Sequence, residues 1–212
     1  MHGKDAARAP RRSGRTRFIT AGGALFAAGA LLTAATLTDS ADVTVTMDGS
    51  GNTFDIVTTG SIEPGWQPTL DDWVQGNPAA YDIPLTADGT GYVLSPGSAL
   101  DLRIAARDAS PRLPARLSLT ILDPNPRGDT TDPATGRYVE LYDQLVVTVK
   151  DGATTIFDRV PTSELSTYTW DDPLSVGGEK VLDVRIEMPT SVTDEWQLAS
   201  TDIQFNFQAV NA

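Results

Sequence analysis

LVVTVKDGATTIF, residues 145–157, decides the fold. Leu145, Val147 and Val149 alternate with Val146, Thr148 and Lys150, Asp151-Gly152 offers a two-residue turn, and Thr155-Ile156-Phe157 resumes a β-favouring run. Period two puts successive side chains on opposite faces of a strand, and an Asp-Gly pair between two such runs predicts a hairpin. The same period recurs on both sides. Leu100, Leu102, Ile104 and Ala106 alternate with Asp101, Arg103 and Ala105, and Leu117, Leu119 and Ile121 follow the same rule. Further on, Leu182, Val184, Ile186 and Met188 alternate with Asp183, Arg185 and Glu187, and Ile203, Phe205, Phe207 and Ala209 with Gln204, Asn206 and Gln208. Each predicts a strand with one buried and one wet face. No segment after residue 41 carries the three-and-four apolar spacing of a helix. Short strands at intervals of about ten residues, separated by Pro, Gly and Asp, predict an all-β chain: a single antiparallel β-sandwich of jelly-roll type following an N-terminal signal helix. Residues 63–84 and 123–138, rich in Pro and polar side chains, are its two long excursions.

The start of the chain reads differently. Residues 18–38 carry no charge and are long enough to cross a bilayer, but seven are Ala, three Gly and four Thr, which favours lipid weakly. Lys4, Arg8, Arg11, Arg12, Arg15 and Arg17 precede them, and small residues follow. A basic start, an apolar middle and a small-residue end predict a secretory signal peptide over residues 1–40 and a β-sandwich domain over 41–212. The processing junction falls at Thr38, Ser40 and Ala41, or a little earlier at Thr33 and Ala35. The alternative is an uncleaved anchor, the one route by which this chain meets a membrane.

Residues 41–212 hold 10 basic and 26 acidic side chains, a net charge of −16, against −12 for the whole chain. Such a surface repels phosphate backbones and anionic headgroups, so nucleic acid and membrane surfaces are poor partners. No cysteine occurs, and the one histidine is His2. Imidazole-based nucleophilic catalysis and His/Cys zinc sites therefore have no residues to use beyond the signal segment. The expectation is a secreted, extracellular or cell-surface protein that is not an enzyme and needs no cofactor.

Four features remain as candidate sites. Asp71-Asp72-Trp73 and Trp170-Asp171-Asp172 each place two carboxylates beside an indole, the parts of a sugar-binding face or a carboxylate-based glycosidase; the competing reading is a tryptophan closing the end of the core. Asp123, Asn125, Asp129 and Asp132 hint at calcium, but Arg127 and Ala134 stand where the EF-hand template needs ligands, and Asp or Asn before Pro and Gly is also ordinary turn chemistry. The tripeptide Arg127-Gly128-Asp129 is short enough to arise by chance. Lys150 and Lys180, the only lysines past the signal segment, both read as exposed.

The order of these features resembles a known group. Thr38-Asp39-Ser40-Ala41 at the end of an Ala-, Gly- and Thr-rich segment, with a strand directly after it, is similar to exported proteins processed by a SipW-type signal peptidase. Leu94-Ser95-Pro96-Gly97-Ser98-Ala99-Leu100-Asp101-Leu102, running into Arg103-Ile104-Ala105-Ala106-Arg107, resembles that group's Pro-Gly-strand element, and Phe205-Asn206-Phe207-Gln208-Ala209-Val210-Asn211 its closing strand. The chain resembles actinobacterial members of the TasA/camelysin family of biofilm-matrix and cell-surface proteins. The resemblance implies a jelly-roll structural protein, a SipW-type peptidase as partner during export, and self-association into fibres by N-terminal strand exchange. Val43, Val45 and Met47 on one face, with Thr44 and Thr46 on the other, form the candidate donor strand, unless that segment pairs within its own sheet. The competing function is a carbohydrate-binding module or glycosidase at the cell surface. Camelysin's suggested protease activity is not implied, because no histidine or zinc motif supports it.

Overall fold

In the computed structural model, which describes residues 54–86 and 91–212, the alternating segments are strands of two antiparallel sheets. In chain order they are β1 (Ile56–Ser61), β2 (Ala99–Asp108), β3 (Ala115–Leu122), β4 (Val146–Asp151), β5 (Thr154–Pro161), β6 (Tyr168–Thr169), β7 (Glu179–Glu187) and β8 (Gln204–Asn211). One sheet runs β1-β2-β7-β4-β5 and the other β6-β3-β8. Helical structure among the described residues is confined to the 3₁₀ turns Tyr142–Gln144, Thr162–Glu164 and Asp194–Trp196.

The predicted apolar rows are the core. Leu100, Leu102, Ile104 and Ala106 of β2, Leu182, Val184 and Ile186 of β7, and Val147 and Val149 of β4 line the inward face of the larger sheet. They join Ala115, Leu117, Leu119 and Ile121 of β3 in one buried cluster. That shared cluster makes the fold sandwich-like: each sheet hides its apolar face against the other. The β8 row differs from expectation. Ile203, Phe205, Phe207 and Ala209 pack against the core but stay only partly buried; among the described residues β8 pairs with β3 alone. Two strands carry no strong sequence signal, β1 with its Gly and Thr, and β6 with two residues.

The hairpin forms one residue later than its sequence predicts. Asp151 still pairs, with Thr154, and the two turn residues are Gly152 and Ala153. Gly152 has φ +57°, and glycine at the first of two central positions is the requirement of a type II′ turn. A Cβ on Gly152 meets nothing within 4 Å, so substitution strains the backbone without a clash. Gly152→Ala is expected to cost about 1 kcal/mol, measured by urea denaturation.

The outward face of the larger sheet is charged in register. Asp101 lies opposite Arg185, Arg103 opposite Asp183 and Arg107 opposite Glu179. The first two pairs are in contact at 2.7 Å and 2.6 Å, and the third is looser at 4.0 Å. The first excursion lies over part of this face. Val74 bridges to Thr58 of β1, Arg103 donates to the Trp66 carbonyl at 2.8 Å, and Ala105, an outward residue of β2, is fully buried.

Candidate functional site

The two nominated tryptophans sit in different environments. Trp170 is 6 % exposed. Its Nε1 donates to Asp151 Oδ2 at 2.9 Å, and the Tyr168 ring meets it edge-on with centroids 5.0 Å apart. Lys180 Nζ lies 5.7 Å from the ring centroid and 2.7 Å from Asp151 Oδ2. Trp170 is thus a core residue with no free face for a sugar, which corrects its nomination as a stacking platform. Lys180 is corrected too: it is part-buried and ion-paired, while Lys150 is exposed as expected. Asp171 and Asp172 point to solvent.

Trp73 is half-buried, with the Arg107 guanidinium carbon 5.8 Å from its ring centroid. Asp72 is occupied by its own turn, accepting from the Thr69 amide at 2.7 Å and the Thr69 hydroxyl at 2.9 Å, and Asp71 is exposed. Ala106 pairs with Lys180 in the inward row, and Arg107 with Glu179 in the outward row. Trp170 beside Lys180 and Trp73 beside Arg107 therefore lie on opposite sides of the five-stranded sheet. Their carboxylates do not face one another across a cleft, as a glycosidase requires. A shallow groove of ≈ 270 Å³ does cross the outward face beside residues 63–65, floored by the Asp101, Arg103, Asp183 and Arg185 pairs. No aromatic ring lines it.

In the second excursion Asp123 and Asp132 serve turns, while Asp129 is exposed. Asp123 Oδ1 accepts from the Asn125 amide at 2.7 Å, and Asp132 from the Ala134 amide at 2.8 Å and the Thr135 hydroxyl at 3.1 Å. Among the described residues no group of three or more His, Cys, Asp or Glu side chains is arranged to hold a metal. Arg127 is committed as well. Its Nε donates to Glu140 Oε2 at 3.1 Å, and Nη2 donates to the Ser200 carbonyl and hydroxyl, so this arginine is tied into the fold rather than presented as part of an adhesion tripeptide.

Glu140, which the alternation pattern does not mark, is the hub of that end of the molecule. It is 4 % exposed, and Oε1 accepts from the amides of Leu141 at 3.0 Å and Tyr142 at 3.2 Å. Burial pushes its carboxyl up, but hydrogen bonds from Thr201, Arg127, Tyr142 and Leu141 outweigh that and hold its pKa below the ordinary value. Tyr142 is pushed up to about 12, by burial first and then by the charges of Asp123 and Asp143. Its hydroxyl donates to the Ile121 carbonyl at 3.3 Å. A stacked pair, Tyr138 and Trp196 with centroids 4.1 Å apart, closes the same end.

The sheet edges remain. An unpaired edge is a template for another strand, and proteins blunt edges with bulges, charge, short strands or a covering loop. Three of the four edges are blunted in these ways. β1 is bridged by Val74. β5 carries a register shift against β4 and a left-handed residue, Arg159 at φ +50°, and β6 is two residues long. β8 is different: eight residues, QFNFQAVN, with no charge and no proline, paired with β3 alone among the described residues. Val210 on it is 61 % exposed. This strip is uncharged on a strongly acidic chain. It was readable in the sequence as a charge-free β-favouring run, but that it forms an edge was not.

The processing residues Thr38, Ser40 and Ala41 and the donor-strand residues Val43, Val45 and Met47 lie outside the described residues. Among the described residues no helix is long and apolar enough to cross a membrane. No protein-family model matches this chain, and no curated protein sequence matches it.

Proposed function

We propose that this chain is a secreted structural protein of the cell surface or biofilm matrix, a jelly-roll domain whose subunits join by strand exchange, with no catalytic role. Residues 1–40 direct export and are removed by a SipW-type peptidase; left uncut, they tether the domain to the membrane. The freed strand with Val43, Val45 and Met47 then adds to a sheet edge of the next subunit. The observation that carries this reading is the uncharged β8 strand, which among the described residues pairs with β3 alone. A long, uncharged edge is a hazard unless a strand is meant to occupy it, and strand addition draws affinity from main-chain hydrogen bonds and register from alternate side chains. The pattern of residues 43–47 fits that role, with an apolar row for the core side and threonines for the wet side.

The full chain, expressed in an exporting host and collected from the medium, is expected to have lost the segment before about residue 41 by intact mass and to form filaments or elongated oligomers by electron microscopy. Protein that stays monomeric at high concentration across pH and salt refutes the assembly reading. An exported form that retains residues 18–38 makes the segment an anchor.

A further inference from the structure

We propose that Lys180 and Asp151 become joined by an amide bond inside the folded domain, with Asp108 carrying the proton, so that β4 and β7 are covalently stapled. The bond lies within one domain and does not depend on export or assembly.

The inward rows of three adjacent strands turn polar at the same end of the core. β2 follows Leu102, Ile104 and Ala106 with Asp108, β4 follows Val147 and Val149 with Asp151, and β7 places Lys180 before Leu182 and Val184. The order β2-β7-β4 sets the lysine between the two acids. Lys180 stands opposite Ala106, and Asp151 opposite Leu182. Each acid is therefore a diagonal neighbour of Lys180 on the same face, within reach of a long side chain.

The surroundings of this lysine supply the parts of an amide-forming site. Lys180 Nζ already lies 2.7 Å from Asp151 Oδ2. The buried Trp170 covers the pair, with Nζ 5.7 Å from its ring centroid, and its Nε1 donates to the same Oδ2 at 2.9 Å. That donor is placed to stabilise the negative charge that grows on Oδ2 when the amine attacks. Asp108 adds an independent observation. It is fully buried, its Oδ1 accepts from the Ser110 amide at 2.9 Å, and its Oδ2 has no hydrogen-bond partner. A buried carboxylate oxygen without a donor is costly, and a proton taken from the lysine on the next strand relieves it.

In the step, Lys180 Nζ bonds to Asp151 Cγ and the Cγ–Oδ1 bond breaks. The nitrogen gives up two protons, the first by way of Asp108 Oδ2, and the departing oxygen takes both and leaves as water. Ammonium and carboxylate thus become amide and water, with no oxidant or other reactant. The chain has no cysteine, and this bond would restrict its unfolded state as a disulfide does, by closing the loop between residues 151 and 180.

Trypsin digestion of the exported full chain, after denaturation, tests the bond. Without it, cleavage after Lys150, Arg159 and Lys180 releases residues 151–159 and 160–180 as separate peptides. With it, Lys180 is no longer cut, and residues 151–159 are expected mainly as a branch on residues 160–185, lighter than the two together by one water, about 18 Da. Separate peptides as the main products overturn the proposal, as does the loss of one water from residues 151–159 alone through ring closure at Asp151-Gly152. Lys180→Arg keeps the cation but is expected to abolish the branch; a branch that persists places the bond on another amine and overturns the assignment. Asp108→Asn or Asp108→Ala, whichever keeps the tryptophan fluorescence of the wild type, is expected to lower the branched fraction about tenfold or more. An unchanged fraction overturns the role of Asp108.

Discussion

Glu140→Ala is expected to lower the unfolding free energy by about 3 kcal/mol. The carboxylate is buried and gathers three segments: Arg127 from the second excursion, the amides of Leu141 and Tyr142 at the start of a 3₁₀ turn, and Thr201 from the stretch that leads into β8. Alanine strands two buried amides and leaves Arg127 without its counter-ion. Each unsatisfied amide costs about 1–3 kcal/mol, whereas the arginine regains water and adds less. Its side chain is 42 % exposed. Glu140→Gln retains an acceptor for the amides and is expected to lose roughly half as much. The effect also has a pH signature. The folded pKa lies below the ordinary 4.5, so the contribution is complete above pH 4.5 and disappears as pH falls through the lower folded value. Urea denaturation at pH 7 is expected to separate wild type from Glu140→Gln, and the gap is expected to narrow in acid; a gap that is constant from pH 7 to pH 3 refutes the assignment.

Trp170→Ala is expected to cost about 3–4 kcal/mol. The indole fills the end of the core, contacts Tyr168 edge-on and donates its N–H to Asp151. Truncation opens a cavity and removes that donor, although Asp151 keeps Lys180. Trp170→Phe preserves most of the packing and is expected to lose about 1–2 kcal/mol, chiefly the hydrogen bond and residual volume. The comparison is Leu198→Ala, at a position 82 % exposed, where a change within about 0.5 kcal/mol is expected. A tryptophan placed for sugar stacking behaves like Leu198 in this assay, so a small effect at Trp170 refutes the core role. Denaturant midpoints with unchanged slope are the required measurement.

These two residues show where sequence reading works and where it stops. Period-two patterning exposed the inward rows of β2, β3, β4 and β7, because a strand buried on one face must alternate and those rows are apolar except at one end, where β2 closes on Asp108 and β7 opens on Lys180. It located the hairpin to within one residue; the offset arises because Asp151 keeps a ladder position and serves Trp170 and Lys180, leaving the turn to Gly152. The tryptophans could not be sorted by sequence. Asp-Asp-Trp and Trp-Asp-Asp look alike as strings, yet one indole lies under Arg107 on the outward face and the other is in the core. The difference comes from strand order and register, which local composition does not encode. Glu140 is hidden for a related reason. Its partners come from positions 127, 141, 142 and 201, so no window of sequence contains its site. The β8 edge is legible in part: the missing charge is in the string, but that β3 is its sole partner among the described residues is a property of topology.

The cross-strand ladder between β2 and β7 has a further consequence, for how the sheet is assembled without error. Apolar patterning rejects any one-residue misalignment, since that turns the core row outward, but it tolerates a shift of two. Here that tolerance is removed. Sliding β7 by two residues in one direction sets Asp101 against Glu187 and Arg103 against Arg185; sliding it in the other sets Asp101 against Asp183 and leaves Arg103 facing Val181. The native alignment alone gives three opposite-charge pairs on that face, with the uncharged Ala105 and Val181 between the second and third. Weak as surface pairs are for stability, together they act as a proofreading code, spelled on the wet face, for the one mistake the dry face cannot detect.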